Sequence, residues 1–206
     1  MTPGTEQEPS LSGGFGGKRD VSLSMEKVNA LAIPIAFLPC LVVGGLFLVT
    51  WGFPRILSGG RILFHWQVIL PALVGGIIAH ELIHGLSWVV FGRKRLSTIR
   101  FGIHWKTLTP FAHCSEPMRA SAYRLGAGMP AMILGLLPSM YGLLIGDGSW
   151  VLYGTIFLIA ATGDFLVLWV IRDVPGTAFV EDHPSRAGCF VYDSGSDSPQ
   201  RPATPE

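Results

Sequence analysis

The sequence predicts an all-α membrane protein of about four transmembrane helices, with a short cytoplasmic β-hairpin-like loop between the second and the third. Three observations carry this reading. The 206 residues are 49% hydrophobic and only 14% charged, with a mean hydropathy of +0.45, which is too apolar for an ordinary soluble domain. Apolar runs long enough to cross a hydrocarbon core of about 30 Å recur along the chain. The Lys and Arg residues gather between those runs, and a net charge of +1 with a pI near 7.8 gives no basis for a nucleic-acid partner. The partners expected from composition are the lipid bilayer and whatever the site acts on; nothing in the sequence fixes an oligomeric state. Cys40, Cys114 and Cys189 are widely spaced, so neither a disulfide framework nor a thiolate zinc knuckle is indicated.

Residues 1–27 are expected to be a cytoplasmic tail without ordered structure. The stretch up to Ser24 is rich in Gly, Ser, Pro and Glu and lacks the apolar segment of a cleaved signal peptide. Residues 28–172 form the transmembrane domain. Val28 to Phe53 carries no charge and gives the first span, with Pro34 and Pro39 tolerated as kinks. Pro54 to Arg61 reads as a short turn. The second helix runs from Ile62 or Trp66 to Phe91, the third from about Ala122 to Ile145, and the fourth from about Trp150 to Ile171. The third is dense in Gly and Pro, which favours close helix packing. Residues 173–206 are a polar cytoplasmic segment, expected to be disordered beyond about residue 193.

The connection from Arg93 to Arg124 holds seven Lys and Arg residues, whereas the one between the last two helices holds only Asp147. The positive-inside rule therefore predicts a multi-pass protein of the cell membrane with both termini in the cytoplasm. Within the basic connection, Ile99, Phe101, Ile103 and Trp105 alternate with Arg100, Gly102, His104 and Lys106. That two-residue period predicts a strand at the membrane surface, with Thr107 to Cys114 as its hairpin partner.

The second helix carries His80-Glu81-Leu82-Ile83-His84. Residues four apart on a helix lie one turn apart on one face, so both imidazoles reach a single Zn²⁺. Glu81 between them is expected to be a base that takes a proton from water activated by the metal. Three ionisable residues inside a membrane segment cost on the order of 3 kcal/mol each, which points to something bound there.

Catalytic zinc usually takes three protein ligands, and the candidates for the third are Asp164, His104, His113, Glu116, Asp182 and His183. Depth ranks them. At about 1.5 Å per residue, Asp164 lies roughly 12 Å from the cytoplasmic end of the fourth helix at Arg172, and His84 and His80 lie roughly 14 to 20 Å from the end of the second at Arg93. Asp164 is thus the expected third ligand. His104 and His113 are expected to decorate the surface loop, with His113 and Glu116 supporting the ligands from behind or touching substrate. Asp182-His183-Pro184 reads as a surface turn.

These motifs resemble a known group. A His-Glu-x-x-His in a membrane helix, a β-like loop after it, a Gly/Pro-rich helix and a later Gly163-Asp164 are similar to the site-2-protease class of intramembrane zinc metalloproteases. More closely, His80 to Gly85, His113-Cys114-Ser115-Glu116-Pro117, Gly163-Asp164 and Asp182-His183-Pro184 with Gly188-Cys189 resemble a bacterial and archaeal family of zincin peptidases of otherwise unassigned function. The resemblance covers roughly Val28 to Val191. It implies zinc on His80, His84 and Asp164, with Glu81 as the base. The Asn-x-x-Pro-x-Asp-Gly signature of the better-known site-2 proteases is absent, since Asp164 is followed by Phe165.

The function expected is a membrane-embedded zinc metalloprotease that hydrolyses a peptide bond in a membrane or juxtamembrane protein or peptide. Ile99, Phe101, Ile103 and Trp105 would hold the substrate by adding it as a strand. The alternative is a membrane protein that binds or transports metal without hydrolysis. A first helix free of charge offers no polar path for transport. A third reading, a partner-binding protein that has lost catalysis, is opposed by the presence of both histidines and Glu81.

Overall fold

The computed structural model of the chain describes residues 15–105 and 109–194. Expectations for residues 1–14 and for the segment beyond 194 lie outside the described residues. Helices dominate, and a two-stranded hairpin follows the second helical column, but the all-α expectation is corrected by a further, four-stranded sheet.

The first helical column joins α1 (Met25–Pro39) through a wider π-helical stretch, Cys40–Gly44, to α2 (Gly45–Trp51). Ser24 starts it by accepting the Lys27 N–H on its hydroxyl, which satisfies one of the free amides of the first turn. The third column is built alike, from α5 (Ala120–Pro130) through Ala131–Leu136 to α6 (Leu137–Ile145). Each wide stretch begins directly after a proline, whose missing N–H and ring clash disturb the regular ladder.

The expected turn after the first span is instead α3 (Phe53–Leu63), with Pro54 in its first turn where no N–H is needed. Its Gly59 meets the start of α7 (Gly148–Ala160) so closely that an added Cβ would lie 2.3 Å from the Gly148 carbonyl carbon. The second column, α4 (Trp66–Phe91), packs Gly76 against Phe157 of α7.

The expected fourth helix is also revised. After α7 the backbone leaves helical geometry at Ala161 (φ −77°, ψ 8°), and α8 (Thr162–Val170) continues at an angle of 44°. Among the described residues, three helices are long and apolar enough to cross a membrane, Glu26–Trp51, Trp66–Phe91 and Ala120–Ile145, and the bent α7–α8 pair makes a fourth if counted as one broken span. Their outward surfaces are apolar, as at Val49 (89% exposed) and Leu144 (77%), which suits a lipid solvent.

A four-stranded antiparallel sheet gathers distant parts of the chain. β1 (Phe15–Leu23) pairs with β6 (Ala187–Ser194), β6 with β5 (Phe179–Asp182), and β5 with β4 (Met118–Arg119). Residues 15–23 therefore do not belong to an unstructured tail. Behind the sheet, Met118, Tyr123, Val180, Cys189 and Val191 form one buried core with Trp88 and Cys114.

The second sheet is the hairpin β2 (Ile99–His104) with β3 (Thr109–Cys114), Ile99 facing Cys114 and Ile103 facing Pro110. It does not stand off at a surface. Ile99 and Phe101 pack on Gly85 of α4, where a Cβ would come within 2.9 and 2.5 Å of their side chains, and a groove between Ile77 and Ile78 of α4 and Phe111 of β3 shows the hairpin running back along the helix. Ile99 is thereby buried against its own helix, whereas Phe101, Ile103 and Trp105 stay 43%, 45% and 78% exposed, and β3 faces the site.

Candidate metal centre

The site forms where α4, α5, α8 and β3 meet. His80, Glu81 and His84 come from the middle of α4; both histidines are buried, at 9% and 7% exposure. Asp164 enters from the first turn of α8, just past the break at Ala161. A carboxylate in the first turn is favoured by the positive end of the helix dipole. The break supplies a helix start in mid-column, which a continuous helix would lack.

Two imidazole nitrogens and the two oxygens of one carboxylate converge. His80 Nε2 is 3.1 Å from Asp164 Oδ2, His84 Nε2 is 3.3 Å from Asp164 Oδ1, and the two Nε2 atoms are 3.2 Å apart. Atoms held about 2.0–2.1 Å from a tetrahedral ion lie about 3.3 Å from one another, so these spacings match those between the donors of a zinc site. Asp164 Oδ2 is buried and makes no directed hydrogen bond, despite its closeness to His80. An unpaired buried carboxylate oxygen and two imidazole nitrogens brought to one point are costly without a cation. The donor set therefore fits Zn²⁺, and these three residues are the group of described residues that could hold a metal.

The orientation of His84 is fixed from behind. Its Nδ1–H donates to the Gly126 carbonyl at 2.9 Å, leaving the Nε2 lone pair of the neutral ring for the metal. Trp88, one turn further along α4, stacks on the His84 ring at 5.8 Å, and Tyr123 of α5 stacks on Trp88 at 5.8 Å. Gly126 has room only for a hydrogen, since a Cβ would sit 2.1 Å from Trp88 Nε1.

On the other side, the Ala112 N–H of β3 reaches the Glu81 carboxylate. That amide lies on the outer edge of β3, the edge that β2 leaves unpaired. Pro110, two residues earlier, has no N–H to offer there, as suits an edge strand. A cleft of about 700 Å³ runs from His80, Glu81, His84 and Asp164 between β3 and the turn that joins β5 to β6.

The expected site residues separate into those the structure brings together and those it does not. His80, His84 and Asp164 converge, with Glu81 beside them. Ile103 and Trp105 line the cleft, whereas Ile99 and Phe101 face Gly85. His113 does not decorate a surface: the folded-back hairpin carries it into the cleft, where Nδ1 lies 2.8 Å from Asp182 Oδ2. Glu116 instead pairs with Lys94 at 3.2 Å. His183 uses Nδ1 to accept the Ser185 and Arg186 amides and so shapes the expected turn. The His104 side chain lies outside the described residues.

Gly126, Trp88 and Tyr123 were not legible as site residues. Trp88 had a signal, being at position i+4 from His84 and thus on the ligand face. Asp182 stood among the candidate ligands, but its place beside His113 was not legible, because only tertiary folding brings β5 to the hairpin.

The sequence profile of the family described as "Putative zincin peptidase" matches residues 73–179, just over half of the chain. No curated protein and no solved structure matches.

Proposed function

Since the chain belongs to the zincin peptidase family, we propose that it is a membrane-embedded zinc metallopeptidase that cleaves a peptide bond in a membrane or juxtamembrane substrate. The observation that carries this reading is the convergence of His80, His84 and Asp164 with Glu81 adjacent on the same helix. A zinc ion held there would polarise the scissile carbonyl and lower the pKa of a water to about 7. Glu81 accepts the proton of the attacking water and returns it to the leaving amine. His84 keeps its ring in the ligating orientation through Gly126. The Ala112 amide steadies the Glu81 carboxylate at the cleft edge, and a peptide that adds to β3 as a strand passes beside it. The strand-adding surface is thus the open edge of β3, with Ile103 and Trp105 lining the adjoining wall and Ile99 and Phe101 anchoring the hairpin.

Four crossings with both ends in the cytoplasm are part of this proposal. β4 precedes the third column and β5 follows α8, yet they pair. Strands in one sheet lie on one side of the bilayer, so an even number of crossings separates them, which supports a crossing by the α7–α8 pair. The same reasoning puts β1 on that side, and the seven basic residues between Arg93 and Arg124 favour the cytoplasm. Cysteine labelling near Arg95 should succeed only from the cytoplasm and near Gly148 only from outside; the reverse overturns the topology.

The mechanism is tested with Glu81→Gln, which preserves volume and removes the base. Zinc content should remain at the wild-type level while cleavage falls about 10²- to 10⁴-fold. Loss of zinc in Glu81→Gln would make Glu81 a ligand and favour metal binding without hydrolysis; cleavage at the wild-type rate would refute the mechanism.

A further inference from the structure

Two polar stretches left without a role, around His113 and around Asp182, meet at one carboxylate. Asp182 Oδ2 accepts from His113 Nδ1 at 2.8 Å, and Asp182 Oδ1 accepts from the Tyr123 hydroxyl at 2.8 Å. These contacts are shielded, with Asp182 and His113 side chains 13% and 19% exposed and Tyr123 3% exposed. Each bond leads to a different part of the centre. His113 is the residue after Ala112, whose amide reaches Glu81. Tyr123 stacks on Trp88, and Trp88 stacks on His84. The carboxylate thus ties three elements of distant sequence, β3, α5 and β5, in one place.

We propose that Asp182 is a positioning residue of the centre, orienting the Glu81 carboxylate through His113 and β3, and the His84 ring through Tyr123 and Trp88. Both oxygens of the carboxylate act as acceptors at once. Asparagine has a single acceptor oxygen, so it keeps one arm and releases the other. Residues that fix metal ligands from behind commonly carry 10- to 100-fold in metal affinity or activity. The Glu81 arm rests on the peptidase reading; the His84 arm rests only on metal binding.

The experiment uses the full-length protein in detergent. Zinc affinity is measured by competition with a chromophoric chelator, and hydrolysis is measured on dye-labelled casein. Asp182→Asn should bind zinc at least about 10-fold more weakly than wild type while still folding, as judged by a cooperative melt. Tyr123→Phe, which keeps the ring and its stacking, should weaken zinc binding less. In the Asp182→Asn background it should add nothing further, because the two residues act through one contact, whereas independent sites add. His113→Gln should leave zinc affinity unchanged and lower kcat on casein with little change in KM. Wild-type zinc affinity in a folded Asp182→Asn, or fully additive losses in the double variant, overturns the proposal. If Asp182→Asn does not fold, the Tyr123→Phe affinity decides, and an unchanged value overturns it. A wild type that leaves casein intact, or Glu81→Gln cutting as fast as wild type, overturns the Glu81 arm together with the peptidase reading, while zinc affinity still decides the His84 arm.

Discussion

Gly126→Ala is a one-methyl test of how His84 is held. The new Cβ would sit 2.1 Å from Trp88 Nε1 and 2.3 Å from its Cδ1, where ordinary contact is about 3.5–4.0 Å. Something must move by about 1.4 Å or more. The indole has little freedom, because one face lies on His84 and the other on Tyr123. The strain divides between tilting Trp88 and pushing α5 from α4. Separating the helices by about 1 Å stretches the 2.9 Å bond from His84 Nδ1 to the Gly126 carbonyl beyond hydrogen-bonding range. Overpacking of this kind costs about 1–3 kcal/mol in stability. Freeing the ligand ring should weaken zinc binding about 10- to 100-fold, which corresponds to about 1.4–2.8 kcal/mol. The measurements are chelator competition and thermal melting. Gly163→Ala is the control, since a Cβ beside Asp164 meets nothing within 4 Å and should leave affinity within about twofold while gaining helix propensity. Wild-type affinity and melting in Gly126→Ala would falsify the argument that Trp88 and Gly126 set the ring.

Further outcomes are expected elsewhere. Asp164→Ala should lose bound zinc, as measured by metal analysis of the purified protein, because it removes one corner of the ligand triangle; full occupancy would move the third ligand elsewhere. Gly76→Ala, whose Cβ would fall 2.0 Å from the Phe157 ring, should destabilise by about 1–3 kcal/mol, whereas Gly75→Ala, with nothing within 4 Å, should be near neutral. Arg124 donates to the carbonyls of Ile171, Arg172 and Val174 at the end of α8; Arg124→Ala should cost about 1.5–3 kcal/mol by leaving those acceptors without their charged donor. Burial, with the Asp182 charge nearby, pushes the Cys189 thiol up to about 12. Because the folded state favours the protonated form, stability from this group is intact below about pH 9 and is lost as pH rises towards 12. Native protein at pH 8 should therefore leave Cys189 unmodified by maleimide, and rapid labelling would contradict the burial.

What could be read from the sequence was whatever depends on local period or on depth. His80 and His84 share a face because they are four apart, and Asp164 matches their depth by residue count. The strand period of Ile99 to Trp105 was visible, but not its direction. Only packing on Gly85 decides that Ile99 and Phe101 turn to α4 and that His113 enters the cleft. The bend at Ala161 left no mark in an apolar run without Pro. The Gly-rich stretch around Phe15 reads as a tail because its pairing partner, β6, lies at the far end of the chain, and pairing at that separation leaves no local signature.

The sheet has a consequence for when the centre comes into being. Leu23 pairs with Ala187 and Phe15 with Ser194, so β1 emerges first during synthesis and waits for almost the last described residues before it finds its neighbour. Asp182 likewise reaches His113 only after the α7–α8 column is in place. Until then the histidine triangle lacks Asp164, which also comes from α8, and β3 has no tether to the sheet. A chain made only as far as α7 thus contains His80, Glu81 and His84 but no finished centre. Completion of the α7–α8 column and completion of the metal centre coincide, so that the cleft assembles only once nearly all of the described residues have been made.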